Sequence, residues 1–248
     1  MSEPKATDPM NSRYPTTALG AAPGDHSGSG GHFAAPLGSW KNGRLRFRKG
    51  AHRLAIRAGS HLQGLYRASF GDRTPTVGVR RGIVTILYPR IPADDWLDCR
   101  SERLAEVELN ARIPWDIEIR GGASRLVADL RGLRLRAFSV NGGASRLEVV
   151  LPAPSGTVVV VILGGASNVA IQRPNGIAAR LRVSGGATNM KFDDRRIGAS
   201  GDELNLQSRN YEGATDRYDI AVTGGANNLS VDDQRVRKEG VDLDREGE

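Results

Sequence analysis

The chain has 248 residues, enough for one large domain or two small ones with a substantial core. Hydrophobic residues make up 39% of it and aromatics only 5%, with Gly at 31. That balance suits many thin, similar layers better than a core built around large rings. The net charge is +7, and the single cysteine, Cys99, excludes an internal disulfide framework and a thiolate zinc cluster while fitting a reducing compartment.

Residues 1–42 are rich in Pro, Gly, Ser, Thr and Ala without apolar periodicity, so they read as a disordered tail that buries too little to offset its ordering entropy. His26 and His32, in a Gly-Ser tract, read as solvated residues rather than metal ligands. The segment has no basic stretch followed by an apolar one, so it is not a secretory signal. No run approaches the roughly 18 apolar residues of a membrane span; the longest, 158–163, is strand-sized. The expectation is a soluble, cytoplasmic protein.

Residues 43–233 repeat. Gly-Gly-Ala-Ser or a near copy begins at Gly121, Gly142, Gly164, Gly185 and Gly224, at intervals of 21, 22, 21 and 39. Degenerate copies are KGAHRLAI from Lys49 and RGIVTILY from Arg81, so 43–112 read as irregular rungs and 113–233 as regular ones of one continuous stack. After each Gly-Gly comes period-two alternation, as at Leu126, Ala128 and Leu130, and a second alternating run leads to the next Gly-Gly. No stretch keeps a capped helical period. The fold class is therefore an all-β, single-stranded β-helix-like solenoid of ~20-residue rungs.

The pairs Gly121–Gly122, Gly142–Gly143, Gly164–Gly165, Gly185–Gly186 and Gly224–Gly225 read as structural corners, where Gly takes positive φ without steric cost. Next to them, Ser124, Ser145, Ser167, Thr188 and Asn227 form one expected polar ladder, and Asn168, Asn189 and Asn228 a second. Arg134 and Arg136, and likewise Arg180 and Arg182, alternate with apolar partners and must point outward; these four are the candidate partner-binding residues. Two interruptions, ADDWLDCRSER at 93–103 and the 39-residue interval after Gly185, are expected to be contact loops, the latter with one strand near Leu204 and Leu206. Residues 234–248 form a charged tail, and VDDQRVRKEG from Val231 is expected to cap the last rung.

Nothing assembles into an active site. His52 and His61 have no ligand-like neighbours, and Cys99 lies between Asp98 and Arg100, whose charges offset each other. Asp193–Asp194 and Asp232–Asp233 end two equivalent units and read as polar stops rather than as a calcium repeat. Each Gly-Gly precedes a strand pattern, not a phosphate-holding helix. No catalytic residue, metal or cofactor is expected.

From Asn42 to Asp233, the recurring GGAS(N/R) turns, the PWDIEIRGGAS join from Pro114 and the closing ATDRYDIAVTGGANNLSV from Ala214 resemble the bacterial toastrack-type domain of adhesin-head repeats and cell-wall-stress regulators. The resemblance implies a non-enzymatic β-solenoid linked to envelope-stress signalling. Family members often carry membrane segments or accessory domains, and neither is expected from this sequence.

Three functional readings stand. One is an interaction scaffold docking an unknown protein partner through the Arg face or loops. Another is a self-assembling, bactofilin-like homo-oligomer built from exposed solenoid ends. The last is non-specific polyanion binding by 43–231, whose charge balance is +10. Nucleic acid ranks last, because stacking aromatics and a recognition helix are both missing.

Overall fold

The computed structural model describes residues 31–51, 53–71, 74–88 and 104–234. His26, His52, Cys99, the 93–103 stretch and the charged end from 235 lie outside the described residues.

The described chain is built of strands in two sheets. The first runs in the order β1 (Gly31–Pro36), β4 (Gly64–Phe70), β7 (Leu104–Asn110), β3 (Arg53–Gly59), β9 (Ala123–Asp129), β11 (Ala144–Val150), β13 (Ala166–Arg173), β19 (Ala226–Asp233), β15 (Ala187–Phe192) and β16 (Arg195–Ser200). The second runs β17 (Leu204–Gln207), β14 (Ala178–Val183), β18 (Arg217–Val222), β12 (Thr157–Leu163), β10 (Arg134–Asn141), β8 (Pro114–Arg120), β2 (Gly43–Arg48), β6 (Ile83–Leu87) and β5 (Thr76–Arg80). Each regular rung contributes one strand to the second sheet, turns at its Gly-Gly corner, and contributes the next strand to the first. Inward residues of both sheets meet in one core, where Trp115, Phe138, Ile162, Phe192 and Tyr218 are fully buried. This is an all-β solenoid.

The rungs stack out of sequence order. The last rung, β18 and β19, does not cap the stack: β18 pairs in parallel with both β12 and β14, and β19 with both β13 and β15. The expected cap at VDDQRVRKEG is thus corrected, since its first residues lie inside the first sheet. The real ends are antiparallel: β16 on β15 and β17 on β14 at one end, β5 on β6 and β1 on β4 at the other.

Two more expectations change. Residues 31–36, inside the segment read as a tail, form β1, and Phe33 packs edge-on against Phe70 at 5.6 Å. The strand escapes sequence reading because its hexapeptide holds only one large apolar side chain. Between β15 and β18 the interval after Gly185 holds two short strands, β16 as well as the expected β17; β16 leaves little sequence pattern because only Ile197 packs against the core.

The corners use Gly for two reasons. Gly121 has φ 95° and a Cβ there would lie 2.6 Å from the Gly50 amide nitrogen. Gly185 is outside the left-handed region, yet its Cβ would lie 2.6 Å from the Gly225 nitrogen, so close approach of layers alone demands it. In each regular rung a non-Gly residue with positive φ follows the Ser, Thr or Asn of the ladder: Arg125, Arg146, Asn168, Asn189 and Asn228 all lie at φ 50–58°. These positions drop out of the ladder pairing between flanking partners such as Ser145↔Ser124 and Leu147↔Leu126. Each rung therefore carries the same left-handed kink in the same place, with the register kept on either side.

Candidate interaction surface

Along the corner, the polar ladders form in the rungs' spatial order. Asn189 Nδ2 donates to Asn228 Oδ1 at 3.1 Å, and Asn228 Nδ2 donates to Asn168 Oδ1 at 2.7 Å. Thr188 Oγ1 lies 2.9 Å from Asn227 Oδ1. The Gly amides are also consumed: the N–H groups of Gly121 and Gly122 both donate to the Asn141 carbonyl at 2.8 Å. A groove of about 590 Å³ runs over these corners past Lys49, Ser124 and Ser145. Its floor is backbone already bonded within the stack, which is a structural role.

At the opposite corner, Arg173 ends β13 and is 3% exposed. It donates to Asp193 at 2.6 Å and to the Ile177 carbonyl at 2.7 Å, approaches Asp233 at 3.3 Å, and lies over the Phe192 ring. Asp233 belongs to the inserted rung and Asp193 directly follows β15, so one guanidinium ties three neighbouring rungs. One aspartate of each pair thus holds a buried arginine, while Asp232 pairs with Lys191. Among the described residues, no three His, Cys, Asp or Glu side chains converge as a metal site.

The outer face of the second sheet differs from both corners. Strand alternation sends Asp116 and Glu118 outward on β8, Arg44 and Arg46 on β2, and Asp219 on β18. Each carboxylate is straddled by two arginines. Asp116 faces Arg44 at 3.2 Å and Arg136 at 3.6 Å; Glu118 faces Arg46 at 2.8 Å and Arg120; Asp219 faces Arg180 at 2.9 Å and Arg182 at 3.1 Å. Desolvation pushes the Glu118 carboxyl up, but its hydrogen bonds and charge contacts with Arg120 and Arg46 outweigh this and hold it below the usual range. The hydrogen bond to Asp219 raises Arg180. Arg217 donates instead to Thr157 and to the Tyr211 carbonyl, and Arg180 and Arg217 both lie over the Tyr211 ring at 4.7 and 4.8 Å.

Of the four arginines singled out in the sequence, Arg180 and Arg182 meet on Asp219, Arg136 faces Asp116, and Arg134 bonds the Arg112 carbonyl. All four share one face, but β18 and β12 separate the two pairs. Between them β12 exposes Val159 (42%) and Leu163 (43%), with Val161 half-buried. This aliphatic row was legible in the apolar run 158–163, whose unbroken character means both faces of the strand are apolar.

With this geometry in place, the comparisons with known proteins show what the solenoid resembles. Residues 96–172, which include β7 through β13, match the family model for the N-terminal domain of toast_rack, DUF2154. Over that span the chain is similar to the toast-rack family. Among solved structures, a proposed cell adhesion protein from Clostridium sporogenes ATCC 15579 shares the fold, with a TM-score of 0.68 at 15% identity over 83% of this chain and 99% of that one. No curated protein matches the sequence. The toast-rack match covers the strands that carry Asp116, Glu118, Arg136 and the aliphatic row; β2 with Arg44 and Arg46, and the inserted rung with Asp219, lie outside it.

Proposed function

We propose that this toast-rack-like protein is a non-enzymatic interaction scaffold that binds a protein partner through the outer face of its second sheet. The observation that carries this reading is the aliphatic row of β12 left open between arginine-rich clusters. A solvated sheet face ordinarily carries polar side chains, so exposed aliphatics set among arginines favour a covering partner. The resemblance to domains of cell-wall-stress regulators supports a place in bacterial envelope-stress signalling, and the adhesion relative supports protein contact rather than chemistry. We place the protein in the cytoplasm, in keeping with its single cysteine. The antiparallel strands closing both ends weigh against filament growth, and Pro36 ends one edge strand while Arg195 and Arg196 charge another.

Site-specific photo-crosslinkers at Val159 and at Val127, a more exposed valine on the other sheet, test the surface in cells. Adducts at Val159 alone are expected; equal adducts at both positions, or none at Val159, would sink the reading. Fractionation of the same cells checks the compartment, and altered sensitivity to cell-wall-active compounds on loss of the gene checks the pathway.

A further inference from the structure

The guanidinium groups of the second sheet are not spread evenly. Arg180 and Arg182, rooted on β14, reach one strand inward to Asp219 on β18. Arg136, rooted on β10, reaches to Asp116 on β8. The two positive clusters therefore lie over β18 and β8, three strand spacings or about 14 Å apart. Between them stand Val159 on β12 and Ala137 on β10, in one register row with the two carboxylates: Asp219↔Val159, Val159↔Ala137, Ala137↔Asp116; Val161 lies two residues further along β12 on the same face. Each guanidinium carries five N–H donors, and one arginine of each cluster is about half exposed: Arg182 at 45% and Arg136 at 52%.

Resting on the scaffold reading above, we infer that this face takes an extended acidic segment of the pattern acid–x–aliphatic–x–acid, lying across the strands. Alternate residues of an extended chain point the same way, and four residues span about 14 Å. Such a segment sets its two carboxylates over the two arginine clusters and its central aliphatic side chain on Val159 and Val161. Charge selects against a second copy of the face, since arginine clusters would meet arginine clusters. The resident carboxylates Asp116, Glu118 and Asp219 select against a uniformly anionic surface, which cannot avoid them, whereas a polypeptide in register can.

The test uses the full chain and short synthetic peptides, with binding followed by fluorescence anisotropy. One peptide has a Leu-Val-Leu centre between glutamate triplets; a control replaces the aliphatics with Ser; phosphatidylcholine vesicles one-third phosphatidylserine serve as the anionic surface. The first peptide is expected to bind at least about tenfold tighter than the Ser control. Arg136→Glu with Arg182→Glu, or Val159→Asp, should abolish that preference, and Val127→Asp should leave it unchanged. Thermal melts establish that each variant folds, and Val159→Thr replaces the Asp variant if it does not. Equal binding of both peptides, or binding only to vesicles, overturns the inference. If Val159 still crosslinks a cellular protein while the peptide fails, only the partner pattern falls; if both fail, the docking face falls with it.

Discussion

At the scale of single residues, the repeat sets one demand that its side chains meet unequally. Five equivalent corner positions take a left-handed backbone, and Asn fills three of them while Arg125 and Arg146 fill the others. A left-handed residue other than Gly or Asn is strained by roughly 1 kcal/mol. Asn also joins the ladder already formed by Asn168, Asn228 and Asn189. Arg125→Asn and Arg146→Asn should therefore each stabilise the fold by about 0.5–1 kcal/mol in urea titration, an unusual gain for substitutions on an exposed surface. Titration supplies a second residue-scale test. Glu118 has its folded pKa depressed by Arg120 and Arg46, so it contributes stability above the ordinary Glu range near 4.3 and loses it as pH falls through the lower folded value. Asp129, lowered chiefly by its hydrogen bond from Arg131, acts in the same direction. Thermal melts between about pH 5 and pH 2 should thus fall less steeply for Glu118→Gln than for the unaltered protein.

At the scale of strands, what the sequence made legible was whatever recurs within a rung. Gly-Gly corners, alternation, outward arginines and polar ladders all depend on contacts repeated at a fixed period. Rung order was not legible, because the final repeat GGANNLSVDD looks like its neighbours and fits equally well inside the stack or at its end. The only sequence trace was the long interval of 39 residues after Gly185, which accommodates β16, β17 and the return of the chain to an inner slot. The binding face was half legible for the same reason: Arg180 and Arg182 were visible as a pair, but their partner Asp219 arrives from the inserted rung. Insertion makes two predictions. Arg173→Met should cost about 3 kcal/mol in chemical denaturation, the low end for breaking a buried ion pair, since Asp193 and Asp233 keep partial access to water. Ending the chain at Asp216 should strip hydrogen-exchange protection from β14 and β15 as well as removing β18 and β19. In a sequential solenoid, losing the last rung would leave its predecessors protected.

At the scale of the molecule, the order of strands also sets the state of assembly. A solenoid with open parallel ends offers unpaired backbone to another copy, and growth is then limited only by concentration. Here each sheet terminates in a strand that runs against its neighbour: β16 and β1 on one sheet, β17 and β5 on the other. An incoming parallel rung would have to displace an antiparallel strand at both sheets together. The edges themselves are poor templates, since β17 is four residues long, β16 opens with Arg195 and Arg196, and β1 ends in Pro36. The basic outer face of the second sheet adds like-charge repulsion to face-to-face pairing. Light scattering after gel filtration should therefore give a mass of one chain that stays constant across a wide concentration range. A mass that climbs with concentration would mean that the antiparallel caps open. Substituting a β-branched residue for Gly198 on β16, where a Cβ meets nothing within 4 Å, should then speed the climb by making a better edge.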